Sequence, residues 1–243
     1  MSGQQRVAHA ATTGFDNASA YDIHRPSYPP EVVQSLLSRL DVAHKPNAKI
    51  VDLAAGTGKF TELLATRKEE YAIVAIEPVA KMRDGLVDKK LERVEVRDGL
   101  ATRMDVGDGW ADAVIAAQPR NWAASTQWED QMKQLVLALP PDDVDRFRDD
   151  KWGKVFERQS RAADPYFTTP IGQDKVPFTV WRTKELLWDR INTLSQIAVL
   201  EGNDKETFRA RFDEILEHGD QVWNKDREVE FHGFTTFGWT TRL

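Results

Sequence analysis

Two carboxylates and the turn after the first of them carry the first chemistry in this 243-residue sequence. Asp52 ends one short apolar run and Glu77 ends the next, and Ala54-Ala55-Gly56-Thr57-Gly58 follows Asp52 within "VDLAAGTGKFTE". A phosphate-binding P-loop needs a glycine five positions before its Gly-Lys pair and Ser or Thr after it. Those positions hold Leu53 and Phe60, so that chemistry is excluded. A dinucleotide fingerprint needs a third small residue where Thr61 stands, which leaves that reading incomplete. Small side chains let a ligand lie against the backbone, and a carboxylate at the second strand's end can accept two hydrogen bonds from ribose hydroxyls. A neutral or cationic adenosyl ligand suits this arrangement better than a pyrophosphate.

The elements that must hold these groups follow from apolar spacing. In "SYPPEVVQSLLSRL", Val32, Val33, Leu36, Leu37 and Leu40 share one helix face. "AKIVDLAAGTGKF" reads as strand, turn and helix start, with Phe60, Leu63 and Leu64 on the buried side of "KFTELLATRKEE". "YAIVAIEP", a helix over "VAKMRDGLVDKK", the alternating "RVEVRDG" and finally "ADAVIAAQ" bring the strand total to four by residue 118. Continuous apolar runs alternating with helices predict an α/β fold, a Rossmann-like, mostly parallel sheet with helices on both faces. Such sheets bind ligands outside the carboxyl ends of their strands, where Asp52, Glu77, Asp98 and Gln118 fall. Further on, the spacing predicts a helix from Trp122 to Leu139, another in "RFRDDKWGKVFERQ" and strand-like pieces in "DPYFTTPIGQDKVPFTVW". One long helix is expected in "TKELLWDRINTLSQIAVL", capped by Thr183, and a C-terminal strand in "EVEFHGFTTFGWTTRL", with Gly233 and Gly238 as candidate bulges.

Taken in order, "IVDLAAGTGKFTELLA", "AIVAIEPVAKM", "VEVRDGLATRM" and "ADAVIAAQ" resemble the successive motifs of class I S-adenosylmethionine-dependent methyltransferases. The likeness is to the type 11 group, related to ubiquinone and menaquinone biosynthesis enzymes and to small-acid methyltransferases, and "YDIHRPSYPPEVV" resembles that group's opening segment. The resemblance implies S-adenosylmethionine as cofactor, with Gly56 and Gly58 admitting its amino-acid part to the backbone beside Asp52, Ala54 and Thr57. It implies Glu77 on the ribose, with Pro78 following, and Met82 against the adenine. Asp98, Gly99, Leu100 and Ala101 would border the adenine edge, Tyr21 and Arg25 would close the methionine end, and Gln118 would lie near the donated methyl. Leu100 departs from the small polar residue frequent in the family. Read without the resemblance, Asp52 caps a turn, Met82 is core, Arg25 forms a surface ion pair and Leu100 packs. His24 and His232 are the tempting bases, but neither shows an acidic orienter in the sequence, so no catalytic residue is assigned.

The pattern breaks in "AVIAAQPRNWAASTQWED". The family continues from its fourth strand through an aromatic loop, a helix and a glycine turn to a fifth strand, and none of these stands here. A helix and a strand with their turns take roughly 30 to 45 residues, and a block of that size is missing. The expectation is a shortened sheet lacking the usual fifth strand. Either the C-terminal strand moves in beside the fourth, or a second copy of the chain covers the exposed edge as a homodimer.

Composition removes other classes. The 33 basic and 39 acidic residues give a net charge of -6 without a basic stripe, so no nucleic-acid partner is expected. The absence of cysteine rules out disulfides and thiolate catalysis and fits a reducing, cytoplasmic location. The five histidines show no metal-ligand spacing, and no stretch reaches the roughly 18 apolar residues of a membrane span, so neither a metal nor a membrane is expected. Residues 1–20 read as a flexible N-terminus and 21–243 as one methyltransferase-like domain. Within it, 21–118 form a cofactor-binding half and 119–243 a Trp-rich acceptor and C-terminal half; all eight tryptophans lie between Trp110 and Trp239. The expected function is S-adenosylmethionine-dependent methyl transfer to a small molecule, with a carboxylate or another anion as the acceptor that would need no base. A non-methylating cofactor-binding or interaction protein of the same origin competes with it, and a nicotinamide-dependent oxidoreductase is the third reading.

Overall fold

The structure, a computed structural model, describes residues 27–117, 121–140 and 151–243. Tyr21, His24, Arg25 and Gln118 lie outside the described residues. Helix α1 (Pro30–Arg39) begins at a proline, whose missing N–H costs nothing in a first turn, and buries Val32, Val33, Leu36 and Leu37. Strands β1 (Lys49–Leu53), β2 (Ala72–Ile76), β3 (Val94–Arg97) and β4 (Ala113–Ile115) alternate with α2 (Lys59–Ala65) and α3 (Ala80–Val87) as the apolar runs predict. They form one parallel sheet in the order β3-β2-β1-β4, with Asp52 opposite Ala75 on one side and Ile115 on the other.

One face of this sheet packs Ile50, Ile73, Ala113 and Ile115 against Val33, Leu37, Phe60 and Leu64 of α1 and α2. Each such side chain removed from water contributes about 1.5–3 kcal/mol, enough in sum to fix where β1 ends and the turn begins. The opposite face buries Val51, Val74 and Ile76 under Met104, Val106 and Trp110 from the segment after β3. Val114, on the same face as Val51 by register, is 51% exposed.

The second half departs from its expected outline. Asn121–Trp122 is a two-residue strand, β5, and the helix predicted from Trp122 starts only at α4 (Gln127–Leu137). Helix α5 (Gly153–Ser160) takes up the later part of the helix expected over 146–159, whose residues 146–150 lie outside the described residues, and strand β6 (Gly172–Thr183) falls in the strand-like stretch. The single long helix expected after Thr183 is two, α6 (Lys184–Asn192) and α7 (Ser195–Ala198). Thr183 caps α6 by accepting from Leu186 N at 3.2 Å, and at the break Thr193 Oγ1 donates back to Arg190 O. Side-chain hydroxyls bonded back in this way compete with helix continuation. Helix α8 (Gly202–His218) was not anticipated, although Phe208, Phe212 and Leu216 recur every four residues and are all buried.

Strand β7 (Glu228–Trp239) does not lie beside β4. It pairs antiparallel with β6 along its whole length and with β5 at Gly233 and Phe234, in a separate sheet ordered β5-β7-β6. The inward shift expected of the C-terminal strand is therefore overturned, because β6 offers a twelve-residue antiparallel partner and β4 is only three residues long. Nor are Gly233 and Gly238 bulges, since both pair one to one with β6. Gly233 instead makes room for a ring: a Cβ there would sit 2.2 Å from Phe178 Cζ. The two sheets meet where Phe237 of β7 enters the α1–α2 core and the Arg39 guanidinium lies 4.8 Å from the centre of the Trp239 ring.

Candidate functional site

The carboxyl ends of β1 and β2 bring the two sequence-predicted acids to one turn. After Leu53 the chain reverses through Ala54, Gly56 and Gly58, all at positive φ (56°, 60° and 81°). That conformation costs a residue with a Cβ roughly 1–2 kcal/mol, so glycine suits two of the three positions. At Gly58, which precedes α2, a side chain would also meet Leu86 Cδ1 at 2.2 Å. Two bonds hold the turn to β2: Ala55 N donates to Ile76 O at 3.0 Å, and Gly56 N donates to Glu77 Oε2 at 2.8 Å. Glu77 Oε1 accepts from Val79 N at 2.8 Å.

Both acids are buried, at 1% exposure for Asp52 and 5% for Glu77. Burial pushes the Asp52 carboxyl up to about 7, against the lowering effect of the Thr61 hydroxyl, which donates to Oδ2 at 2.6 Å. Nearby Glu77 adds to the rise. Asp52 Oδ1 is buried and has no hydrogen-bond partner among the described residues. Burial likewise raises Glu77, opposed by its two backbone donors and by Arg83.

The other predicted positions gather less tightly. Thr57 is buried in the turn and Met82 is buried on α3. Pro78 is half-buried. Gly99 is buried with Ile76 close by, Leu100 exchanges backbone bonds with Arg103, and Asp98 and Ala101 are exposed. Two participants were missed. Arg83 donates to Glu77 O at 2.7 Å and lies 3.4 Å from Asp98 Oδ1, joining the ends of β2 and β3. Thr61, which weighed against the dinucleotide fingerprint, is the residue that orients Asp52. A basic residue one turn into the helix after an acidic strand end was the available signal for Arg83. Nothing local signalled Thr61.

A third carboxylate went unrecognised because its partner is distant in sequence. Glu129, in the first turn of α4 and fully buried, accepts from Ser125 N and Thr126 N through Oε2 and from His232 N through Oε1. The same Oε1 lies 3.1 Å from His232 Nδ1. His232 therefore has the acidic orienter that the sequence did not show.

No protein-family model matches the chain. It is 36% identical over 192 residues to an uncharacterized methyltransferase of Mycobacterium bovis, covering 72% of this chain and 74% of that protein. It is 26% identical over 237 residues to an uncharacterized methyltransferase of Schizosaccharomyces pombe, covering 88% of this chain and 91% of that protein. The second alignment is longer than the part of this chain it spans, so that relative carries residues with no counterpart here. Among solved structures, the YcgJ protein of Bacillus subtilis aligns with a TM-score of 0.45 at 12% identity, over 88% of this chain and 99% of that one. A parallel β3-β2-β1-β4 sheet with a glycine turn at its carboxyl edge and the mycobacterial identity agree: the chain belongs to the methyltransferases.

Proposed function

We propose that the protein binds S-adenosylmethionine at the Asp52–Glu77 turn and transfers its methyl group to a small molecule. The observation that carries this reading is the pair of buried carboxylates flanking a small-residue turn. Among the described residues Asp52 Oδ1 is buried and without a partner, which costs a protein on the order of 1–3 kcal/mol, and a cationic ligand beside it offsets that cost. A carboxylate has about four acceptor sites, and Glu77 uses two on backbone N–H groups, so both oxygens can still receive vicinal ribose hydroxyls. The residues present thus fit the cofactor, which when bound supplies an electrophilic methyl on a sulfonium. The protein's part is positioning and exclusion of water. Among the described residues no helix is long and apolar enough to cross a membrane, and a cytoplasmic small-molecule enzyme is the setting we infer.

A second reading is favoured by one observation. Among the described residues β4 pairs only with β1, and the strand beyond it, β5, is two residues long and pairs with β7. The block that would shape an acceptor pocket is reduced to a stub, which suits a cofactor-binding protein that no longer methylates. Calorimetry with S-adenosylmethionine, S-adenosylhomocysteine and NAD tests both readings. Binding of the sulfur ligands is expected, and failure of both at millimolar concentration sinks the first. Binding without transfer across a broad acceptor set supports the second.

A further inference from the structure

The two oxygens of Asp52 stand in different surroundings, and one residue makes them different. The Thr61 hydroxyl donates to Oδ2 at 2.6 Å, whereas Oδ1 is buried and has no hydrogen-bond partner among the described residues. Thr61 lies in the first turn of α2 and is 0% exposed, so its hydroxyl is out of reach of bulk water. That bond is the only one its side chain makes among the described residues. The register neighbours of Asp52 in the sheet, Ala75 and Ile115, bring no polar side chain to it.

Charge around this carboxyl is equally one-sided. Burial, and after it the negative charge of Glu77, push Asp52 up to about 7 against the lowering effect of Thr61. Arg83, the nearby cation, is turned to Glu77 O and to Asp98 instead. An ionised Asp52 therefore needs a second donor, at Oδ1, that also brings positive charge. A sulfonium supplies charge but no hydrogen to donate, whereas a primary ammonium supplies both.

Accepting the cofactor reading on which this rests, we propose that Thr61 is a positioning residue that sets ligand specificity: by occupying Oδ2 it leaves Oδ1 to receive the ammonium of the ligand's amino-acid arm. Adenosyl ligands that carry the arm are held at this point, and adenosyl thioethers that lack it are not. Binding is an exchange, in which the ammonium arrives as the carboxyl proton leaves to solvent. Without the hydroxyl, the ionised carboxylate keeps a buried oxygen with no donor, which displaces the exchange to higher pH.

S-Adenosylhomocysteine, which carries the ammonium arm, and 5′-methylthioadenosine, which lacks it, separate this role from packing. Their affinities are measured by calorimetry from pH 5.5 to 8 in wild type, Thr61→Val and Thr61→Ser. Taking the ratio of the two affinities removes the contribution of Glu77, because both ligands carry the ribose assigned to it. In the wild type the ratio should rise with pH and level off above about 7. Thr61→Val should lower the ratio at pH 7 about tenfold and move its rise to higher pH, while Thr61→Ser should match the wild type. Equal weakening of both ligands in Thr61→Val, an unchanged ratio there, or the same loss in Thr61→Ser would each overturn the proposal. Should Thr61→Val not fold, the wild-type profile decides, because a ratio level across this range means that no such exchange occurs. Failure of the wild type to bind either compound overturns the cofactor reading itself, and the proposal with it.

Discussion

Glu77 Oε2 accepts the amide hydrogen of Gly56 at 2.8 Å, so the acid that ends the second strand also fixes the turn that follows the first. Replacing it with alanine removes an acceptor from Gly56 N and Val79 N and, on the reading above, two bonds to the ribose. At about 1 kcal/mol each, the ribose bonds alone correspond to a loss of roughly 30-fold in affinity. Titration calorimetry of Glu77→Ala with S-adenosylhomocysteine measures this, and unchanged affinity refutes the site assignment.

Asp52 predicts a pH dependence of stability with a definite sign. Its carboxyl titrates near 3.8 when unfolded and about 7 when folded, so between those values the folded state holds a proton that the unfolded state has lost. Stability contributed by this group is complete below about pH 4, falls as pH rises toward 7 and is flat above it. The fall is on the order of 4 kcal/mol. Glu69, held down at about 2 chiefly by the Arg67 guanidinium, acts with opposite sign but only below 4.5. Urea denaturation from pH 4 to 8 should show the decline in the wild type and a smaller one in Asp52→Asn, where the Glu77 carboxyl, also raised by burial, still contributes with the same sign. A wild-type curve that rises across the window contradicts the assignment.

A cation bound next to Asp52 stabilises its ionised form, so binding should expel a proton. Calorimetry of S-adenosylmethionine at pH 6.5 in buffers of different ionisation enthalpy should reveal net proton release, and Asp52→Asn should abolish it. Equal release by both proteins would place the proton elsewhere.

Gly233 and Phe178 make a packing test. Gly233→Ala puts a Cβ 2.2 Å from the Phe178 ring and should cost about 1–3 kcal/mol through overpacking. If that contact is the cause, the loss in Gly233→Ala combined with Phe178→Leu should be less than the sum of the two single losses. Strict additivity in denaturant titrations would show that the contact is not responsible.

The outer edge of β4 invites a second copy. We propose that a homodimer covers it, since among the described residues that edge is unpaired, an unpaired strand edge is a template for association, and Val114 is exposed beside it. Sedimentation at tens of micromolar should give a dimer, and Val114→Lys should shift it to monomer. A monomeric wild type ends the idea.

By itself the sequence determined the strand–turn–helix order of the first half and the place of Asp52, the glycine turn and Glu77. Those features are local: apolar runs define buried parallel strands, and the residue ending each run is at the sheet's binding edge wherever the rest of the chain goes. It also raised the expectation of a break in the pattern beyond β4. Tertiary structure alone decided what followed from the break. Whether β7 would pair with β4 or β6 depended on which partner offered the longer ladder, a comparison between segments about 50 and 120 residues away along the chain. Likewise, Glu129 looked like an ordinary first-turn acid and His232 a lone histidine, because a carboxylate orients an imidazole only when folding brings together residues 103 positions apart. Hydrophobic period reports which face is buried, not against what, and this protein's chemistry depends on the second as much as the first.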